Sequence, residues 1–246
     1  MEQDPARIAV VSGTSSGIGE AVAEVMLERG YTVVGLSRRG NARLAQDEAY
    51  IDRTADLRDA TAVHEAIASV PQAREHGVKA VVLNAGYSPA PVDLPKLPWE
   101  TVADTYAVNV ATALHLTQAT CGLLKQAGGG SLTFVGASLA NGYQADRFAY
   151  AASKAAMTTL MRACSTEFKD DGIVSNEVRP GPVATAMTMA GLDSAVNEQV
   201  LRAINEGFGT DWLKSSRTVA EWIATIAEFP SNGPTGQVFN YSRKVL

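Results

Sequence analysis

Short β-branched runs alternate with longer segments of helical periodicity along most of the 246 residues. Ile8-Ala9-Val10-Val11 reads as a buried strand, a glycine-rich turn follows, and Ile18, Val22, Val25 and Met26 then recur at helical spacing until Gly30. Residues 32–36 and 80–83 read as further strands, and residues 63–70 lie in a helix. One long helix is expected over residues 99–125, stopped by Gly128-Gly129-Gly130. Then come a strand at 132–135, a helix at 148–168, a strand at 173–178, a helix at 219–229 and a last strand at 237–240.

Such alternation builds right-handed βαβ units, because consecutive parallel strands need a crossover and the helices bury both faces of the sheet. The expected fold is α/β: a single-domain, doubly wound Rossmann-type sandwich with a parallel sheet of about seven strands and helices on both faces. Residues 1–246 are read as one domain, with no repeat, low-complexity tract or linker. The Pro-rich piece at 88–98 follows a strand end, where binding loops of such sheets lie.

With 46% hydrophobic and 19% charged residues, the composition excludes a disordered chain. A net charge of -5 offers no field for a polyanion, so no nucleic-acid or anionic-membrane partner is expected and a small molecule is the natural ligand. Cys121 and Cys164 show no metal-type spacing and read as two buried, reduced thiols. His64, His76 and His115 are scattered, and no metal is expected. The polar start of the chain does not read as a signal peptide, and no apolar stretch approaches the roughly 18 residues of a span, so a cytoplasmic location is expected.

Ser12-Gly13-Thr14-Ser15-Ser16-Gly17-Ile18-Gly19 joins the first strand to the first helix. Gly13 permits a tight turn, and Gly17 and Gly19 let the backbone approach a pyrophosphate held on the N–H groups of the helix end, around Ser15, Ser16 and Ile18. A strand-to-helix turn without a ligand is the plainer alternative. The spacing is G-x-x-x-G-x-G. With Asn84-Ala85-Gly86, Asn109, Ser138, Tyr150-x-x-x-Lys154 and Pro180-Gly181 in order along the chain, the sequence resembles the short-chain dehydrogenase/reductase family.

Tyr150 and Lys154 lie four positions apart on one helix face, where an ammonium favours the phenolate and lowers a phenol pKa from its usual value of about 10. The resemblance implies a catalytic tetrad: Tyr150 as general acid or base, Lys154 also bonding the nicotinamide ribose, Ser138 polarising the substrate carbonyl, and Asn109 holding a water that connects the lysine to solvent. Taken singly, each of these residues has an ordinary structural explanation. The implied reaction is reversible transfer of the pro-S hydride between a nicotinamide and a ketone or secondary alcohol. The resemblance further implies that Asp56-Leu57 meets the adenine, with Asp52 as competitor, and that Asn84, Ala85 and Gly86 lie against the adenosine ribose. Pro180, Gly181, Val183 and Thr185 would then lie near the carboxamide.

The second strand ends Val33-Val34-Gly35-Leu36-Ser37-Arg38-Arg39, without the acid that would accept from a ribose 2′-hydroxyl and with two bases that suit a 2′-phosphate. NADP(H) is therefore expected, with Arg38 as main contact beside Ser37 and Arg39; NAD(H), with a solvated basic loop, is the alternative. Substrate choice is expected in residues 186–217, where Met187, Met189, Leu192, Phe208 and Trp212 form either an apolar lid or ordinary packing, and in Leu139, Tyr143 and Arg147. Arg147 either meets an anionic group or is a surface charge.

The expected protein is a carbonyl reductase or 3-oxoacyl reductase, working as a homodimer or homotetramer; the ending Arg243-Lys244-Val245-Leu246 leaves that choice open. An NAD(H)-dependent alcohol dehydrogenase of the same family and a non-catalytic dinucleotide-sensing regulator are the competing readings. The regulator would be expected to lack Tyr or Lys of the tetrad. A related sugar-nucleotide epimerase or dehydratase would need a larger carboxy-terminal region.

Overall fold

β1 (Ile8–Ser12) is fully buried and hydrogen-bonds on both sides, to β2 (Thr32–Ser37) and to β4 (Ala80–Leu83), each in parallel. The computed structural model describes residues 7–140, 145–189 and 213–241. In these residues β3 (Tyr50–Thr54), β5 (Gly130–Val135), β6 (Ile173–Arg179) and β7 (Val238–Asn240) complete one parallel sheet of order β3-β2-β1-β4-β5-β6-β7.

The alternation of a strand sends neighbouring side chains to opposite layers. Ala9 and Val11 face α1 (Gly17–Glu28) and α8 (Ser216–Ala227), joining Val22, Met26, Val219 and Ile223. Ile8 and Val10 join the other layer, where α2 (Ala60–Ala68), α3 (Pro71–His76), α5 (Thr112–Gln126) and α6 (Phe148–Glu167) supply Val63, Ala73, Leu116 and Met157. Each fully buried large side chain contributes about 1.5–3 kcal/mol. Both faces are covered, which is why the runs Ile8–Val11 of β1 and Ala80–Leu83 of β4 are continuously apolar.

Helix starts follow local chemistry. Asp59 accepts from the N–H groups of Thr61 and Ala62 at the head of α2, and Ser215 accepts from Thr218 N–H at the head of α8. Pro71 opens α3 in the first turn, where its missing N–H costs nothing. Residues 63–68 lie in a helix as expected, but that helix ends at Ala68 and Val70 caps α3 instead.

The long helix expected over residues 99–125 is interrupted. α4 (Trp99–Tyr106) passes into a π turn, Ala107–Ala111, before α5 begins. Cys164 is buried as expected, but Cys121 is only half-buried, since it lies on the outer side of α5. α7 (Ala186–Met189) follows β6, and Val183 forms a parallel bridge with Lys214. Tyr143, Leu192, Phe208, Trp212 and residues 243–246 lie outside the described residues. Among the described residues no helix is long and apolar enough to cross a membrane.

Gly35 in β2 shows how the sheet makes room for the neighbouring turn. A Cβ there would stand 1.9 Å from the Tyr50 hydroxyl, which donates to Thr14 Oγ1 at 2.9 Å and braces the loop after β1 from behind. Gly35→Ala is expected to destabilise the fold by about 1–3 kcal/mol, through overpacking and loss of that bond. A denaturation midpoint equal to the parent's would contradict this packing role.

Candidate active site

The chain runs β1, β2, β3 in one direction across the sheet and then returns to place β4 on the other side of β1. Loops after β1 and β4 therefore diverge, opening a crevice at the carboxyl ends of the strands. A cleft of about 590 Å³ lies there.

At its centre, Ser12 ties the two diverging loops together. Its hydroxyl accepts from the N–H groups of Asn84 and Ala85 at 2.9 and 3.0 Å, while Asn84 Nδ2 donates to Ser12 O at 2.9 Å. Gly13 turns with φ +76°, and a Cβ on it would meet Asn84 Nδ2 at 2.9 Å and Ala85 Cα at 3.1 Å. Gly13, Ser15, Ser16, Gly17 and Ile18 line the cleft. Ser16 caps α1 without a side-chain bond, leaving the first N–H groups of the helix available at the cleft.

Gly19 differs from the expectation. It is buried behind the turn and does not line the cleft; a Cβ would lie 2.3 Å from Gly13 O and 2.4 Å from Asn84 Nδ2. Its bareness closes the turn on itself and does not admit a ligand.

One end of the cleft is basic. Ser37 Oγ accepts from Gly40 N–H at 3.0 Å, closing the turn that exposes Arg38 and Arg39. Asp56 and Leu57 line the same end, whereas Asp52 is turned away and accepts from Asn41 N–H. Arg58 lines this end too, a residue that the motifs did not single out. It grips both Asp56 carboxylate oxygens at 2.6–3.1 Å, and these bonds bring the Asp56 pKa down to about 2. The guanidinium is brought to the cleft by the turn before α2, and only the fold reveals that placement.

The other end gathers Ser138, Tyr150 and Lys154, with Asn84, Ala85 and Gly86 along one wall and Pro180, Gly181, Val183 and Thr185 along the opposite one. Thr185 stands against Gly17, its Cγ2 3.3 Å from where a Cβ would be. Ser138 begins the 3-10 turn Ser138–Ala140 just after β5. Tyr150 and Lys154 share the inner face of α6; the Lys154 Nζ lies 5.9 Å from the Tyr150 ring centre.

The electrostatics correct one expectation. Burial pushes the Tyr150 phenol up to about 12, against a downward pull from Arg147. Lys154 does not offset this, because its ammonium points to Val135 O at 2.9 Å and Met157 Sδ at 3.4 Å. Burial in turn pushes Lys154 down to about 8, with Glu177 pulling it up. Arg147 lines the cleft and donates to Ser88 Oγ and Pro89 O, so it is more than a solvated surface charge. It follows Asp146, which holds a left-handed φ of +64°.

Asn109 lies behind the cleft. It is fully buried and not part of the cleft wall. Its Oδ1 accepts from Tyr87 N–H at 2.7 Å, and its Nδ2 donates to Tyr87 O and Ser153 Oγ. The side chain thus staples the loop after β4 to α6, and the π turn around it supplies the extra room. A Cβ on Gly86 would lie 3.4 Å from Asn109 Oδ1 and 3.5 Å from Lys154 Nζ, so Gly86 is the spacer between them.

Fold and cleft together define a protein of the doubly wound, nucleotide-binding class. The chain belongs to the short chain dehydrogenase family, whose model matches residues 7–194. It is 30% identical to an NADPH-dependent aldehyde reductase-like protein, chloroplastic, from Arabidopsis thaliana, over 79% of this chain and 78% of that one. It is 26% identical to the 3-oxoacyl-(acyl-carrier-protein) reductase FabG of Vibrio cholerae over 95% of both chains. Among solved structures, a 3-ketoacyl-(acyl-carrier-protein) reductase from Brucella melitensis complexed with NADH matches with a TM-score of 0.83. That match covers 95% of this chain and 96% of that one, and at 19% identity it is a likeness of fold. The protein is an oxidoreductase of this family, which uses a nicotinamide dinucleotide.

Proposed function

We propose that the chain is an NADP(H)-dependent reductase of ketones or aldehydes, reversible toward the alcohol, in which Tyr150 moves the proton. The observation that carries this reading is one cleft with a bare glycine cradle and Arg38 and Arg39 at one end, and Ser138, Tyr150 and Lys154 at the other. The cradle fits a pyrophosphate: Cβ atoms at Gly13 or Gly17 would narrow the space between the turn and its neighbours Asn84, Ala85 and Thr185.

When bound, the nicotinamide supplies or accepts a hydride at C4. The protein's own groups do the rest. Ser138 donates a hydrogen bond to the substrate oxygen, where negative charge grows during reduction. Tyr150, protonated at neutral pH, gives its proton to that oxygen. Lys154 orients the ribose, and Asn109 holds the loop of Tyr87 in place against α6. The whole chain works as one catalytic domain. The NADPH-dependent name of the Arabidopsis relative and the reductase name of the Vibrio relative support the reading.

A panel of ketones, aldehydes and alcohols, followed by NADPH absorbance, tests it. Turnover is expected with NADPH favoured over NADH. Tight NADPH binding without turnover of any compound would favour the regulator, and a higher kcat/KM with NADH would favour an NAD(H) enzyme. Arg38→Ala is expected to raise the NADPH KM about 10- to 100-fold, the size of one or two charged hydrogen bonds, with NADH unaffected. Equal effects on both cofactors would remove Arg38 from the phosphate.

A further inference from the structure

β6 carries two fully buried charges beneath the cleft, Glu177 and Arg179. Arg179 Nε donates to Glu177 Oε1 at 2.7 Å, and Arg179 Nη2 donates to Thr158 Oγ1 at 3.0 Å. Thr158 in turn donates to Lys154 O, so the pair is bonded onto the helix turn that bears the lysine. The carboxylate also fills the space beside Gly136: a Cβ there would lie 2.0 Å from Glu177 Oε1. Val135 O, which accepts from the Lys154 ammonium, belongs to the same planar peptide unit as the Gly136 Cα. The carboxylate and the ammonium therefore flank one peptide unit in the cleft floor.

An ion pair this deep gains little net stability, since desolvation offsets the attraction. Lys154 has a stronger need for it. A fully buried amine with no counter-charge sheds its proton, and an uncharged Lys154 could neither attract a phenolate nor donate all its hydrogens. We propose that Glu177 is the buried counter-ion that keeps Lys154 protonated, which makes it a positioning residue acting on the site through the lysine. The consequence for the cofactor rests on the proposed function; the pairing of charges does not.

The charged and titratable groups around Lys154 are few among the described residues. Tyr150 approaches from α6, with Arg147 acting on its phenol, and Glu177, paired with Arg179, lies on β6. β5 offers the Val135 carbonyl, and Asn109 beside Gly86 is uncharged. Glu177 is the one carboxylate in this set, and the Tyr150 phenol stays protonated.

The test is a pH titration of the full-length protein with 13C-labelled lysine, with the Lys154 Cε signal assigned by its loss in Lys154→Met. The parent should titrate near pH 8. In Glu177→Gln the midpoint should fall by about 1–3 pH units, the effect of losing a nearby opposite charge. An unchanged midpoint in a folded Glu177→Gln protein would overturn the proposal, and would leave the pair as scaffolding alone. If that variant does not fold, 13C-labelled glutamate in the parent decides instead. The Glu177 Cδ signal should step at the pH where Lys154 loses its proton, and a flat signal would overturn the proposal. NADPH affinity, followed by fluorescence in the same buffers, separates the two readings. If no dinucleotide binds at any pH while the lysine midpoint still shifts, the cofactor reading fails and the counter-ion stands.

Discussion

Tyr150→Phe is expected to lower kcat about 10²–10⁴-fold, the span that a positioned general acid supplies, while NADPH affinity stays that of the parent. The ring packs in the same place, so only the proton is lost. Burial holds this phenol near 12, which makes it a proton donor through the whole neutral range. Reduction is accordingly expected to be insensitive to this group around neutrality. Alcohol oxidation, which needs the phenolate, should speed up as pH rises. Parallel assays of turnover and of dinucleotide binding check this, and substantial turnover in the phenylalanine variant would mean that the proton comes from another group.

Gly19→Ala should damage the protein without touching the cleft surface. The new methyl would lie 2.3 Å from Gly13 O and 2.4 Å from Asn84 Nδ2. Neither neighbour can yield: Gly13 is held in its left-handed turn, and Asn84 Nδ2 is bonded to Ser12 O. The turn must open, at a cost of about 1–3 kcal/mol. That cost falls on the conformation that binds the pyrophosphate, so NADPH affinity should drop about tenfold or more, at roughly 1.4 kcal/mol per decade. Thermal unfolding and a binding isotherm measure the two effects, and parental values in both would show that the turn is more pliant than its packing implies.

Much of the fold was legible because its signals are local. β1 and β4 are buried on both faces and built from unbroken apolar runs, so Ile8-Ala9-Val10-Val11 and Ala80-Val81-Val82-Leu83 announce themselves. β3 was less visible, since Asp52 and Arg53 interrupt its apolar run at the sheet edge. The π turn at Ala107–Ala111 was not marked by periodicity, which runs through it; Asn109 within it bonds to Tyr87 and Ser153, both far away in sequence.

The same division holds within the site. The chain's own order of residues determined the α/β class, the glycine turn, the basic end of β2 and the four-position spacing of Tyr150 and Lys154, because each is written in neighbours along one strand or helix. Only the tertiary structure decided that Gly19 closes the turn from behind, that Arg58 holds Asp56, and that Lys154 points to Val135 with Glu177 across the peptide. These are contacts between strands and loops brought together by a sheet order that departs from chain order at β1 and β4. Protonation followed the same route. A lysine four positions from a tyrosine suggests a lowered phenol pKa, but burial raises it and the ammonium points to Val135 O instead, and both arise from packing.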